Sequence, residues 1–344
     1  MTRSITKQIL PMPVVRRPVS ELPQRFRPIF PYIDFNQVQS LVFDTMLETD
    51  KPVVVSAPTG SGKTGIFELA IIRIIMNAER RTGGFSSAKM VYLAPTKALC
   101  TERRLDWTKK FGPYNIQSVE LTSDATNVIN FKDLNRTSIL FATPEKWDSI
   151  TRNWNGSKPF VQSIRLLMID EVHLVNDGSR GAVLEAVISR MKTIRSLTWP
   201  DEPDNLRFVA VSATVSNVDD IAKWFSTQKS IAEVHRVDPK ERPVKLRTLV
   251  LGYTANKNVN EFSFDNQLNH KLSEIIKEHS NDKPTLVFCA TRKSTLSAAT
   301  TLAKEGKFDV SFASDRRKLY LNLAAQIKDK SLQEMTRFGI AFHH

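Results

Sequence analysis

From Pro52 onward, short apolar runs alternate with longer stretches whose apolar residues recur at helical spacing. The run 53–56 is followed by 63–77, the run 90–93 by 97–110, and the run 139–142 by 145–152. Two more apolar runs occur at 166–169 and 208–211. None alternates strictly between apolar and polar residues, as expected of parallel strands covered by helices on both faces. The rhythm predicts an α/β fold built from βα units.

The rhythm pauses at Asp201-Glu202-Pro203-Asp204, which reads as a loop, and at 237–243, a polar stretch bounded by prolines that reads as a linker. It then restarts, with a strand expected at 244–253, a helix at 266–279, a buried strand at 285–289 and a helix at 293–304. Residues 315–337 are basic and helical in pattern, and 339–344 are apolar where a new strand would begin. Residues 1–27 are rich in arginine and proline without a continuous apolar core, so a flexible basic tail is expected there. The predicted division is a tail at 1–27, a first domain at 28–236, a linker at 237–243 and a second, incomplete domain at 244–344.

The first apolar run leads directly into Ala57-Pro58-Thr59-Gly60-Ser61-Gly62-Lys63-Thr64, and a helical pattern starts there. Strand, glycine-rich loop and helix in that order form a P-loop. Gly60 and Gly62 let the backbone N–H groups of 59–64 close around phosphate oxygens, Lys63 neutralises β and γ phosphates, and the Thr64 hydroxyl ligates Mg²⁺. The general pattern begins with glycine where this chain has Ala57; the bland alternative is a glycine-rich turn that merely contains Gly-Lys-Thr.

The run 166–169 delivers Asp170-Glu171-Val172-His173. Asp170 could hold Mg²⁺ through water and Glu171 could deprotonate an attacking water. Alone, a strand ending in Asp-Glu often only caps a helix. Ser212-Ala213-Thr214 ends the run at 208–211, where hydroxyls could sense the carboxylates or simply cap a helix starting near Val218.

With 344 residues the chain is long enough for two cored domains. Its formal net charge of +13 suits a polyanion, nucleic acid above an acidic peptide, although a merely basic protein would share it. Cys100 and Cys289 each lie at or just after an apolar run and read as reduced core thiols, which points to cytosol or nucleus. No apolar stretch approaches the roughly 18 residues of a membrane span, the longest, 69–76, being interrupted by Arg73. A soluble protein without a secretory leader is expected, so the acceptor patterns at Asn135 and Asn155 carry no meaning.

In order and spacing, the motifs at 57–64, 94–99 (Ala-Pro-Thr-Lys-Ala-Leu), 143–148 (Thr-Pro-Glu-Lys-Trp-Asp), 170–173 and 212–214 resemble those of superfamily two helicases. The DEVH box, Phe35-Asn36 and Gln39-Ser40 before the P-loop, Phe67-Glu68-Leu69-Ala70 after it, and 284–293 narrow the resemblance to the Ski-like branch, and within it to the meiotic crossover-promoting DNA helicases. The resemblance implies two RecA-like domains, the second incomplete here. It also implies ATP and Mg²⁺ as cofactors, 3′-to-5′ movement on single-stranded or branched DNA, action in the nucleus, and recombination proteins as further partners. By position, Gln39 resembles the residue that reads adenine. Pro95, Thr96, Lys97, Thr143 and Glu145 match motifs lining the nucleic-acid track, Thr291 and Arg292 match a strand-contacting motif of the second domain, and His173, Ser212 and Thr214 match motifs coupling hydrolysis to movement.

Two departures qualify the resemblance. Ser123 stands where the family usually has glycine. The family's arginine-bearing motif, worth about 10³ to 10⁵ in rate in related sites, is expected beyond His344, so weak ATP binding and poor hydrolysis are anticipated. Trp107 and Trp147 read as packing residues rather than base-stacking ones, Arg103-Arg104 and Lys109-Lys110 as a solvated helix face, and His343-His344 as no metal site. An RNA helicase of the same branch and a non-catalytic nucleic-acid or protein-binding module are the rival readings. A P-loop kinase or GTPase would give the later motifs no role. The oligomeric state is left open.

Overall fold

A parallel strand buried on both faces must be apolar at every position, and the runs that satisfy this form the middle of a seven-stranded sheet. The strands are β1 (Val53–Ser56), β2 (Lys89–Leu93), β3 (Ser118–Glu120), β4 (Ile139–Ala142), β5 (Ile164–Ile169), β6 (Arg207–Ser212) and β7 (Glu233–Arg236). Their order is β3-β4-β2-β5-β6-β1-β7, and every pairing is parallel. The computed structural model describes residues 15–82, 88–121, 137–201, 205–254, 260–305 and 321–343. Two compact units result, Met1–Arg247 and Thr248–His344.

Alternate residues of each central strand enter two separate cores. Val53, Val55, Met90, Tyr92, Phe141, Met168 and Val209 pack toward α1 (Gln37–Glu48), α2 (Thr64–Thr82) and α3 (Lys97–Phe111). Val54, Val91, Leu140, Leu167, Phe208 and Ala210 pack with α4 (Pro144–Thr151), α5 (Gly181–Thr198) and α6 (Val218–Phe225). Trp107 and Trp147 are fully buried, one in each core, as the sequence suggested. The register aligns Ser56 with Ser212, Ala210 with Ile169, and Leu93 with both Ile169 and Ala142, so the strands carrying the motifs end along one edge.

The N-terminal expectation is corrected in part. Val19, Leu22, Phe26, Ile29 and Phe30 are buried around two 3₁₀ turns, and Arg17 donates to Asp44 while covering the Phe43 ring. Apolar residues spaced three or four apart lie among prolines and arginines there, so Val19, Leu22 and Phe26 join the core while Val15 stays 81% exposed; residues 1–14 lie outside the described residues. The sequence also missed β3 and β7, edge strands that are only half-buried and need no continuous apolar run.

In the second unit, α7 (Glu261–His279) and α8 (Arg292–Glu305) pair through Asn269, Ser297 and Asn266, and His270 contacts Glu305; α9 (Lys330–Thr336) follows. The expected strands at 244–253 and 285–289 pair with no ladder among the described residues. Val250 is 90% exposed and Phe288 89%, and Cys289 is half-buried rather than a core thiol. A strand exists only through its neighbour's hydrogen bonds, and an apolar run without that neighbour stays extended and open. Among the described residues no helix is long and apolar enough to cross a membrane.

Candidate nucleotide and nucleic-acid site

The phosphate loop leaves β1 and turns twice through the left-handed region, at Gly60 (φ 77°) and Gly62 (φ 78°). Gly62 has a second reason to lack a side chain: a Cβ there would sit 2.5 Å from Asn36 Nδ2 and 2.9 Å from Gln39 Nε2. Those amides form the capping box of α1, and they also brace the loop. Asn36 Nδ2 donates to the Ser61 carbonyl at 2.9 Å and Gln39 Nε2 to the Gly62 carbonyl at 3.0 Å. Gln39 is 4% exposed, with its oxygen accepting from the Asn36 N–H, so in this structure its amide braces the cradle.

Thr59 and Gly60 are exposed at the loop's tip, while Lys63 and Thr64 are half-buried at the start of α2. Lys63 Nζ donates to the Ala57 carbonyl at 3.0 Å across the loop it would serve. Ser61 Oγ is buried without a hydrogen-bond partner among the described residues. Positive φ, a helix N-terminus and a lysine folded over the loop fit a polyphosphate. The linker contributes more than sequence indicated. Arg242 lies with Nη2 3.6 Å from where a Gly60 Cβ would stand, and with Lys240 and Lys245 it lines a cavity of about 430 Å³ beside Pro58.

Asp170 follows β5. Its Oδ2 accepts from the Tyr92 hydroxyl at 2.6 Å, its Oδ1 from the Glu171 N–H at 3.0 Å, and its own N–H donates to the Leu93 carbonyl at 2.9 Å. Burial first, then the Asp170 charge and hydrogen bond, push the Tyr92 phenol well above its ordinary pKa, so it remains a proton donor. Glu171 is left-handed (φ 52°, ψ 46°), a strained conformation for a residue with a side chain. His173 Nδ1 lies 3.4 Å from Glu171 Oε2, from Ser212 Oγ and from the Ala213 N–H. Ser56 Oγ donates to the Ala213 carbonyl at 3.2 Å, so the strand feeding the phosphate loop joins the same network. Thr214 is exposed and takes no part in those bonds. Only β6 separates β1 from β5, so the phosphate loop and the acidic pair start about 10 Å apart, two strand spacings.

On the same edge, Pro95, Thr96, Lys97, Thr143 and Glu145 line a groove of about 530 Å³ together with Lys146, Ser149 and Arg180. Thr96 caps α3 and Thr143 caps α4, so two helix N-termini meet there, an arrangement suited to phosphates. Arg180 donates to the Pro95 carbonyl at 3.0 Å; its only sequence signal was the Asp-Gly-Ser-Arg-Gly turn after the DEVH box. Thr291 and Arg292 belong to the second unit, where the Thr291 hydroxyl accepts from the Ser294 N–H. Ser123 lies outside the described residues. The basic face of α3 is less solvated than expected. Lys110 reaches buried Glu68 at 2.7 Å, and Arg104 reaches Glu120 at 3.5 Å. No metal-binding cluster of His, Cys, Asp or Glu occurs among the described residues.

Comparison with known proteins agrees with this geometry. Residues 36–221 match the DEAD/DEAH box helicase family model. The chain is 45% identical over 334 residues to the probable ATP-dependent DNA helicase HFM1 of Xenopus tropicalis, covering 95% of this chain and 24% of that protein. It is 38% identical over 324 residues to the ATP-dependent DNA helicase MER3 of Saccharomyces cerevisiae, covering 94% and 25%. The chain thus spans about a quarter of the length of these relatives. Among solved structures, the DUF1998 helicase MrfA bound to DNA and AMPPNP superposes with a TM-score of 0.65 at 19% identity, over 90% of this chain and 43% of that one. The DEAD-box helicase Mss116 bound to ssRNA and UDP-BeF gives 0.63 at 20% identity, over 93% and 65%. At such identities the likeness concerns the fold, and it bears out the RecA-like expectation.

Proposed function

The chain belongs to the DEAD/DEAH box helicase family, and from that premise we propose that it is the motor portion of an ATP-dependent DNA helicase. It would move 3′ to 5′ along single-stranded DNA and open branched recombination intermediates in meiotic crossover formation. The observation that carries the proposal is the shared sheet edge, where the loop after β1, the acidic pair after β5 and the hydroxyl motif ending β6 are joined through His173 and Ser56.

The backbone N–H groups of Thr59, Gly60, Ser61, Gly62, Lys63 and Thr64 cradle the phosphates. Lys63 exchanges the Ala57 carbonyl for the β and γ phosphates of ATP. Thr64, and Asp170 through water, would hold Mg²⁺, which when bound supplies charge neutralisation on the phosphate oxygens. Glu171 accepts the proton of the attacking water. His173 relays the state of the acidic pair to Ser212, with Thr214 beyond it. The groove at Pro95, Thr96, Lys97, Thr143 and Glu145 takes the DNA backbone, with Lys146 and Arg180 adding charge; taken by itself, the second unit offers Thr291 and Arg292 as strand contacts. The net charge of +13 and the relatives named DNA helicases support a DNA partner, and with it a nuclear site of action.

The test is binding of a fluorescent ATP analogue and DNA-stimulated phosphate release, measured for the wild type, Lys63→Ala and Glu171→Gln. Lys63→Ala should lose about a hundredfold in turnover. Glu171→Gln should keep nucleotide binding and lose turnover. Equal turnover in all three would overturn the proposal, and RNA displacing DNA at lower concentration would reassign the substrate.

A further inference from the structure

We propose that Tyr92 is a positioning residue whose hydroxyl holds the Asp170 carboxylate in the orientation that receives a hydrated divalent cation. The inference rests on the reading of Asp170 as the metal-side carboxylate.

The Asp170 carboxylate is pinned at both oxygens, Oδ2 by the Tyr92 hydroxyl at 2.6 Å and Oδ1 by the Glu171 N–H at 3.0 Å. Each oxygen keeps a further lone pair, so the group can still accept from metal-bound water while its rotation is fixed. The donor is itself immobile. The Tyr92 side chain is 1% exposed and wedged among Phe67, Trp107 and Phe141, with ring centroids 5.6, 5.3 and 5.6 Å away. A short bond from a neutral O–H to a carboxylate is among the stronger hydrogen bonds, and partners of this kind fix ligand orientation at metal sites. Tyr92 also lies on β2, the strand that runs into Pro95 and Thr96, so the residue touching the acidic pair and one wall of the groove share one strand.

A bland account must be separated from this one: a buried phenol needs an acceptor, and Asp170 could merely satisfy it. Tyr92→Phe distinguishes them, because it keeps the ring and removes only the hydroxyl. In the full 344-residue chain, Mn²⁺ binding in the presence of saturating ADP is followed by electron paramagnetic resonance for the wild type, Tyr92→Phe and Asp170→Asn. ADP affinity is also measured in EDTA, and thermal unfolding with and without Mn²⁺ and ADP. The proposal expects Tyr92→Phe to raise the Mn²⁺ dissociation constant about tenfold, with metal-free ADP affinity unchanged and the metal-dependent gain in Tm reduced. A purely structural role would lower Tm by the same amount with and without metal and leave Mn²⁺ affinity unchanged, which overturns the proposal even if the variant is less stable. If Asp170→Asn also leaves Mn²⁺ affinity unchanged, the reading of Asp170 fails and takes the proposal with it.

Discussion

Gly62→Ala tests the packing that shapes the phosphate cradle. At φ 78° a Cβ meets its own carbonyl, a penalty of about 1 to 2 kcal/mol. The new methyl would also stand 2.5 Å from Asn36 Nδ2 and 2.9 Å from Gln39 Nε2, so both amides must leave the Ser61 and Gly62 carbonyls. Each lost bond costs about 1 kcal/mol, bringing the total to about 3 to 4 kcal/mol. For a unit of this size that is a fall in Tm of roughly 6 to 16 °C. The loop that loses its brace is the one proposed to hold phosphate, so nucleotide affinity should fall with stability. The assay is calorimetric unfolding with fluorescent-nucleotide titration, and the control is Gly112→Ala, where φ is −53° and a Cβ meets nothing within 4 Å. That control should leave Tm unchanged or slightly raised. Gly62→Ala matching Gly112→Ala in both measurements would refute the reasoning.

Two stability predictions concern titrating groups. Asp148 is 5% exposed and accepts from Arg152 at 2.8 Å and Arg190 at 2.9 Å; with Arg152 largely solvated, Asp148→Ala should cost about 2 kcal/mol in urea unfolding, chiefly through the lost bond to Arg190. Burial works to raise its pKa, but the two arginines outweigh that and hold it below the usual 3.8. The stability it supplies is therefore present above that value and lost as pH falls through the lower folded one, an acid limb that Asp148→Asn should lack. His235 shifts downward from 6.5 because burial disfavours its charged form, against a weaker pull from Glu233. The unfolded chain takes up a proton near pH 6.5 that the folded chain refuses, so stability should drop as pH falls through that range. His235→Gln should flatten the slope; an unchanged slope would reject the assignment.

The middle of the sheet was legible because β1, β2, β4, β5 and β6 are buried on both faces and must be written in apolar residues. The edge strands and the 15–30 segment were not, since their burial is one-sided or interrupted by proline. At the site, the loop from Ala57 to Thr64 and the acidic pair were legible because their spacing along the chain is short. Gln39 was placed in the right neighbourhood, but its bond to the Gly62 carbonyl, about two dozen residues away in sequence, could not be read from the chain. Tyr92 read as one more apolar strand residue, and its hydroxyl gains meaning only beside β5. Arg242 sat in a segment that read as linker and Arg180 in a stretch after the DEVH box that carried no assignment, with no periodicity to mark either.

A small irregularity in β2 and β5 decides whether Tyr92 and Asp170 can meet at all. Lys89 pairs with Ile164, yet Met90 pairs with Leu166, so Arg165 is passed over. Its guanidinium turns aside to stack on Trp199 at 4.7 Å. Without that extra residue Tyr92 would pair with Leu167, and Asp170, three residues further, would point to the opposite face of the sheet. With it, Tyr92 pairs with Met168, and Asp170 lies two residues on along the same face, within diagonal reach of a long side chain. The bulge also leaves Leu93 opposite Ile169, which aligns the two strand ends from which the groove and the acidic pair emerge. Bulges that re-aim a side chain beside a functional site are a recurrent device in sheets. Here the device acts through parity, because one skipped residue at the buried start of β5 sets which face receives the carboxylate at its far end.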